Sequence, residues 1–122
     1  MSYISYYNPD TQFTTSERCD INELLNYLGD SDCSIARARV APGVTTQLHA
    51  VKNTIERYVI LEGNGRVFID NSPAADVGYL DIISIPADAP QKIHNCGNID
   101  LIFLCICTPR FVQTNYQNLE PE

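Results

Sequence analysis

The chain has 122 residues with 8 Lys and Arg against 15 Asp and Glu, a net charge of −7, and this length suits one domain over residues 1–122. The acidic balance leaves no basic surface for phosphates, which argues against nucleic acid and anionic membranes as partners. The longest apolar run, Leu101 to Cys107, is far shorter than the ~20 residues that cross a bilayer, and the first residues lack a secretory signal pattern, so we expect a cytoplasmic protein.

The segment from residue 19 to residue 28 allows two interpretations. Its larger apolar residues recur at the spacing of one helix face: Ile21, Leu24, Leu25 and Leu28. Together with Asp20 and Glu23, which resemble a capping box, this spacing predicts a short N-terminal helix. The alternative is an outer strand through Cys19, Ile21 and Glu23 that joins the main sheet.

From residue 34 onwards, short runs of β-forming residues alternate with turn signals. The runs are Ser34 to Val40, Gln47 to Val51, Glu56 to Leu61, Arg66 to Ile69, Asp81 to Ile85, Gln91 to His94 and Leu101 to Cys107. Glycine, proline, asparagine and aspartate between the runs supply turns, because they tolerate positive φ or fix φ near −65°. This spacing is typical of an all-β sandwich or small barrel, with its core over about residues 34–109.

The cysteines number five, and their spacing includes no Cys-x-x-Cys pair. That spacing argues against a zinc ribbon or thioredoxin-like chemistry. Cys105 and Cys107 flank one residue in the last run, so strand alternation places both sulfurs on one face. Because the preceding Leu101 to Leu104 indicates a buried strand, we interpret both as small apolar core residues.

Aromatic residues mark both ends of the chain. Tyr3, Tyr6 and Tyr7 lie near the start, and Phe111 and Tyr116 lie near the end. Such segments are too apolar for free tails, so we expect both arms to dock on the barrel or on a second subunit.

The stretch from Gly43 to Gly63 carries the clearest chemical pattern. Five residues separate Gly43 from His49, six separate His49 from Glu56, and six separate Glu56 from Gly63. A tight turn therefore feeds a strand with an imidazole, and the next strand carries a carboxylate. If both strands line one barrel, the two side chains converge from neighbouring strands.

The strand faces define a candidate pocket. His49 shares its face with Gln47 and Val51, and Glu56 shares its face with Tyr58. Imidazole nitrogen and carboxylate oxygen are both good ligands for first-row divalent metals. The alternative is that His49 is a hydrogen-bonded structural residue.

The spacing resembles the first motif of the cupin family, Gly-x5-His-x-His-x4-Glu-x6-Gly, with Val51 in place of the second His. The family's second motif, Gly-x5-Pro-x-Gly-x2-His-x3-Asn, falls here on Leu80, Pro86, Asp88, Gln91 and Asn95. Only Pro86 and Asn95 match it. The resemblance covers Ser34 to Pro109 and implies a double-stranded β-helix, the jelly-roll-like cupin barrel.

Metal-dependent cupins typically use His, His and Glu from the first motif and His from the second. By position, the resemblance implies a metal shell of His49, Glu56 and Gln91, with Val51 at a vacated ligand position. Gln47, on the same face as His49, could add another amide oxygen. Because an amide oxygen is a weak ligand for zinc or copper, we expect a divalent ion such as Mn, Fe, Ni or Zn to bind weakly unless substrate completes the shell.

Two further expectations concern the second motif. His94 lies three residues after Gln91, which in an unbroken strand places it on the opposite, exterior face; a bulge near Pro90 would reverse this. Leucine accepts a left-handed conformation poorly, so we expect a rearranged turn in which Gly78, rather than Leu80, takes the special geometry.

Three functions agree with these residues. The first is a small cupin barrel that binds a small oxygenated metabolite, such as a sugar or organic acid, and forms a homodimer. The second is a metal-dependent enzyme of dioxygenase, isomerase or lyase type, in which Glu56 holds the metal and exchanges protons. In the third, the pocket is vestigial and the dimer surface is the functional part.

Overall fold

The computed structural model describes residues 3–121, which form eleven β-strands and two single-turn 3-10 helices. The strands are β1 Phe13–Thr14, β2 Asp20–Leu25, β3 Ser34–Val40, β4 His49–Val51, β5 Ile55–Glu62, β6 Gly65–Ile69, β7 Ala75–Val77, β8 Ile82–Ile85, β9 Gln91–Asn95, β10 Leu101–Thr108 and β11 Tyr116–Asn118. The 3-10 helices are Pro9–Thr11 and Gln113–Asn115. No helix in this part of the chain is long and apolar enough to span a bilayer.

The strands form two antiparallel sheets whose inner faces share one core. The first sheet has the order β1-β2-β3-β10-β5-β8, and the second has the order β11-β4-β9-β6-β7. Val40 and Ile60 from the first sheet pack in one cluster with Val67 and Ile93 from the second. This packing removes apolar surface from water on both sheets at once. The all-β, jelly-roll-like barrel predicted from the sequence is confirmed.

All seven runs predicted from the sequence are strands, β3 to β6 and β8 to β10, with bounds that differ by at most about two residues. Strand β5 shows why: Glu56, Tyr58 and Ile60 are buried, whereas the residues between them are less so. The sequence does not predict β1, β7 and β11. Two or three residues are too few to show an alternating pattern.

The predicted N-terminal helix is wrong, because Asp20–Leu25 forms strand β2, the outer strand of the alternative interpretation. Ile21 pairs with β3, and the buried Asn22 donates from its amide to the Asn8 carbonyl at 2.8 Å. A short lone helix is marginal in water, whereas the edge of β3 satisfies the backbone groups of β2. Leu28, which completes the helical spacing, is 84% exposed.

The glycine positions of the two motifs all have positive φ. The values are 79° at Gly43, 81° at Gly63, 65° at Leu80 and 68° at Asp88. The prediction that Gly78 replaces Leu80 in the special geometry is therefore wrong. The Leu80 N–H donates to the Ile60 carbonyl at 2.7 Å, which holds the turn, and the exposed Leu80 side chain meets no packing barrier.

The two arms of the chain behave differently. Tyr116 lies in β11, which pairs with β4, and the Glu120 carboxylate accepts a hydrogen bond from Arg18 Nη2 at 2.8 Å. The C-terminal arm thus docks on the barrel, as expected. At the other end, Tyr3 and Tyr6 are 93% and 82% exposed, so these two side chains do not dock on their own barrel.

Candidate functional site

A cavity of about 120 Å³ lies between the two sheets, several times the space that one water needs. Strands β3, β4, β5 and β10 form about half of its wall, and strand β2, the N-terminal segment before it and the C-terminal arm form most of the rest. Its lining side chains include Glu17, Cys19, His49, Val51, Glu56, Tyr58, Cys105, Cys107 and Tyr116. Val51 and Tyr58, which the sequence assigns to a pocket, are both among them.

Gln91 joins three buried side chains beside this cavity. Its amide nitrogen donates to Glu56 Oε1 at 2.7 Å and lies 3.0 Å from His49 Nε2. Its amide oxygen accepts from the Tyr58 hydroxyl at 2.9 Å. We call these four residues the Gln91 network. The convergence of His49 and Glu56 expected from their spacing therefore takes place, and Gln91 is the group that links them.

The strand pairing explains this meeting. His49 in β4 is the direct partner of Gln91 in β9, while Glu56 and Tyr58 are alternate inward residues of β5 in the opposite sheet. The Gln91 network therefore crosses from one sheet to the other. Because every member is buried and hydrogen-bonded, it fixes the side chains in one arrangement.

His49 is held from three sides. Its Nδ1–H donates to the Gln47 carbonyl at 2.7 Å, which leaves Nε2 as the acceptor for Gln91. Its ring stacks on Tyr116 with a centroid distance of 4.9 Å and an interplanar angle of 17°. Both ring nitrogens of His49 are therefore in use.

The four residues predicted to form a metal shell do not present four free ligand atoms to one point. Gln91 turns its NH2 group, not its oxygen, towards His49 and Glu56. The Gln47 amide oxygen accepts from the Tyr116 hydroxyl at 2.6 Å. A cation at this position would require the Gln91 amide to turn over, so a metal role for these four residues stays a prediction.

The second oxygen of Glu56 faces two thiols. Cys105 Sγ lies 3.0 Å from Glu56 Oε2, Cys107 Sγ lies 3.8 Å from it, and the two sulfurs are 3.8 Å apart. The prediction that both sulfurs lie on one face is confirmed. Both cysteines are largely buried, as expected of core residues. They also line the cavity beside the Glu56 carboxylate, a contact that the sequence does not predict. These three side chains form a group that could hold a metal ion.

Glu17 is a site residue that sequence reasoning did not find. It precedes β2, and its Oε2 lies 3.8 Å from His49 Nε2. Burial raises the pKa of the Glu17 carboxyl, His49 lowers it, and the Glu56 charge raises it again, with a net rise. No motif or period marks a residue in an irregular segment, so the sequence carries no signal for it.

The electrostatic environment of the cavity is acidic. Burial, with Glu56 nearby, raises the pKa of the Tyr58 hydroxyl well above its usual value. The hydrogen bond with Cys107, followed by burial, raises the pKa of the Cys105 thiol, and burial raises the pKa of Cys19 to about 12. Within residues 3–121, no lysine or arginine side chain lines the cavity. The carboxyl groups of Glu17, Glu23 and Glu56 therefore have no lysine or arginine beside them in the lining.

His94 lies outside the cavity. It is on the opposite face of β9 from Gln91, as the burial alternation of that strand shows, and its Nδ1 is 2.8 Å from the Thr45 hydroxyl. The expected exterior position of His94 is confirmed, and no bulge reverses the parity of the strand.

Comparison with known sequences finds two informative relatives. An uncharacterised protein of Methanocaldococcus jannaschii is 36% identical over 117 residues, which span 93% of this chain and 92% of that protein. An oxalate-binding protein of Thermotoga maritima is 35% identical over 71 residues, 58% of each chain. No family model matches the sequence.

Comparison with solved structures identifies the same fold. A Klebsiella pneumoniae protein with a double-stranded β-helix domain superposes with a TM-score of 0.78 at 14% identity, over 99% of this chain and 100% of that chain. The nucleoside dehydratase Pac13 of Streptomyces gives 0.79 at 16% identity, over 98% and 92%. A predicted oxalate decarboxylase of Thermotoga maritima gives 0.68 at 26% identity, over 75% and 80%.

Proposed function

Because this chain belongs to the cupin superfamily, we propose that its barrel binds a small, uncharged, hydroxyl-bearing molecule in the cavity between the two sheets. One observation carries the proposal. The acidic side chains that line the cavity, among the described residues, are Glu17, Glu23 and Glu56, and no lysine or arginine lines it.

A cavity lined by carboxyl groups, with no lysine or arginine, favours ligands that carry hydrogen-bond donors. Carboxylate oxygens accept hydrogen bonds, and hydroxyl groups supply the donors that match them. The apolar walls, which include Val51, Ile93 and Phe103, take the carbon skeleton of such a ligand. A sugar or a cyclic polyol combines both properties.

An organic dianion suits the cavity less well. One relative of this chain is named an oxalate-binding protein, and oxalate carries two negative charges. In this cavity oxalate would meet Glu17 and Glu56 at low dielectric, where like charges repel strongly. We therefore expect oxalate to bind only when a cation is bound as well.

We also propose that the protein is a homodimer, which is common among cupins. The exposed aromatic side chains of the N-terminal arm, Tyr3, Tyr6 and Tyr7, support this, because such residues are enriched at interfaces. A second subunit would remove them from water.

Thermal unfolding in chelator tests the ligand proposal, with D-ribose, D-xylose, myo-inositol and oxalate as probes. A ligand at ten times its Kd stabilises the folded state by about 1.4 kcal/mol, which raises the Tm of a chain of this size by about 5 °C. We expect at least one neutral probe to raise the Tm and oxalate to leave it unchanged.

Glu17→Gln and Glu62→Gln provide the matched pair of variants. Glu17 lines the cavity, whereas Glu62 is exposed at the end of β5 and does not line it. We expect Glu17→Gln to reduce the Tm shift by the neutral probe and Glu62→Gln to retain it. A shift by oxalate in chelator, with none by the neutral probes, would overturn the proposal.

A further inference from the structure

The geometry points to a zinc site formed by Glu56, Cys105 and Cys107, with a fourth coordination position open to the cavity. This site is separate from the shell that the cupin motifs imply, and it does not rest on the proposed sugar-like ligand. Its ligand atoms all lie within 4.8 Å of one another. Two thiolates and a carboxylate form a donor set that Zn²⁺ prefers.

The distances match tetrahedral coordination. With zinc–sulfur bonds of ~2.3 Å, two sulfurs of a tetrahedral site lie about 3.8 Å apart, and the Cys105 and Cys107 sulfurs are 3.8 Å apart. Zinc–oxygen bonds of ~2.0 Å place the carboxylate oxygen about 3.5 Å from each sulfur. Glu56 Oε2 lies 3.0 Å from one sulfur and 3.8 Å from the other, so small rotations suffice.

Regular strands hold all three ligands. Cys105 and Cys107 are alternate residues of β10, and Cys107 is the direct partner of Glu56 in β5. Sites on strands are held more firmly than sites on loops. The sulfurs and the carboxylate therefore need no large backbone movement to close on an ion, and binding would displace the thiol protons.

The Gln91 network explains why the ion would sit on this side of Glu56. Gln91 occupies Glu56 Oε1 and His49 Nε2, so the two donors of the family's usual site are already in use. Glu56 Oε2 is directed to the sulfurs instead. Magnesium and calcium prefer all-oxygen shells, so a pair of thiols selects zinc over these harder ions.

Cobalt titration tests the site in the full chain. Protein freed of metal with a chelator, then desalted into a non-thiol reductant, is titrated with Co²⁺ and then with Zn²⁺. We expect thiolate-to-cobalt charge-transfer absorption that saturates at one Co²⁺ per chain, with the strong visible bands of a tetrahedral site. Addition of Zn²⁺ should then abolish both signals.

The cysteines of the chain supply matched controls. Cys105→Ser and Cys107→Ser should each weaken Co²⁺ binding by about 100-fold or more, since loss of even an outer partner of a metal ligand costs roughly 10- to 100-fold. Cys19→Ser, inside the cavity, and Cys96→Ser, on the surface, should bind Co²⁺ as the wild type does. Glu56→Gln should retain the charge-transfer band but bind more weakly.

The wild-type titration alone can overturn the site, without any variant having to fold. Absence of a thiolate-to-cobalt band in the wild type rejects it, as does a band that survives in the folded Cys105→Ser and Cys107→Ser double variant. Circular dichroism identifies which variants are folded. The sugar thermal shifts, measured in chelator, are independent of this result, so failure of either proposal is recognised separately.

Discussion

Position 91 carries a glutamine where the second cupin motif has a histidine, and this amide contacts three side chains at once. One NH2 group reaches both His49 and Glu56, and the oxygen receives the Tyr58 hydroxyl. An imidazole has only two ring nitrogens, and each can make one hydrogen bond. It could therefore not make all three contacts. The substitution therefore replaces a metal ligand of the family with a hydrogen-bonding centre.

Replacing Gln91 should be costly. Gln91→Leu keeps a similar volume but leaves Glu56, His49 and Tyr58 without these partners, and we expect a loss of about 2–4 kcal/mol in the free energy of unfolding. Urea denaturation measures it. Lys92→Gln, on the opposite face of the same strand, should cost no more than about 1 kcal/mol, and equal losses in the two variants would contradict the role of the network.

Glu17 should make stability depend on pH. Burial is the largest cause of its raised pKa, so the folded state favours the protonated carboxyl. The protonated Glu17 carboxyl stabilises the folded state fully below its ordinary pKa of 4.5. This contribution is lost as the pH rises through the higher pKa that Glu17 has in the folded state. In chelator, Glu17→Gln should be more stable than the wild type at pH 8, and this advantage should disappear below pH ~4.5.

Urea midpoints measured across the pH range test this expectation. Glu23→Gln, at an exposed position of β2, should show no comparable change of stability with pH. If Glu17→Gln is less stable than the wild type at pH 8, the Glu17 carboxylate must be stabilised in the folded state, and the sign of the effect is the reverse of ours.

Single residues of the site differ in how far the sequence could reveal them. His49, Glu56 and Gln91 follow from motif spacing, because local strand alternation sets which face each occupies. The contact of Glu56 with Cys107 joins residues 51 positions apart. It depends on β10 lying beside β5, a pairing that no local pattern encodes.

Among the elements, the turn before β8 shows how a barrel keeps its backbone path without the usual residue. Leu80 has a φ of 65°, where a non-glycine residue costs about 1–2 kcal/mol. Its hydrogen bond to β5 holds the turn in place. The fold therefore imposes the conformation on leucine at a cost in stability.

Leu80→Gly should recover part of that cost. Relief of the left-handed strain exceeds the roughly 0.5–1 kcal/mol that glycine loses in chain entropy, and little packing is lost at a 56% exposed side chain. We expect a gain of about 0.5–1 kcal/mol, measured by urea denaturation. Tyr79→Gly has no positive φ to relieve and should instead destabilise the protein.

The elements also show where sequence patterns fail. Long strands such as β5 and β10 are predicted well, since alternation and apolar runs extend over 8 residues in each. The helix predicted at β2 is wrong because the apolar spacing of this segment fits a helix face as well as a strand. The edge of β3 decided between the two, and that edge exists only once the sheet has formed.

For the whole molecule, the homodimer is the prediction to test. Light scattering at micromolar concentration should give twice the chain mass of 13.6 kDa. The triple variant Tyr3→Ser, Tyr6→Ser and Tyr7→Ser should dissociate at higher concentration than the wild type, because these side chains are the exposed aromatic residues of the N-terminal arm. A monomeric wild type would contradict the prediction.

The order of the strands has a consequence for aggregation. The four outermost strands, β1, β8, β11 and β7, have only 2, 4, 3 and 3 residues. Fibril formation needs an exposed β-forming segment of about six residues, and the segment that best fits, in β10, is paired on both sides by β3 and β5. Fibrils should therefore nucleate only from opened chains, at a rate that follows the population of the unfolded state.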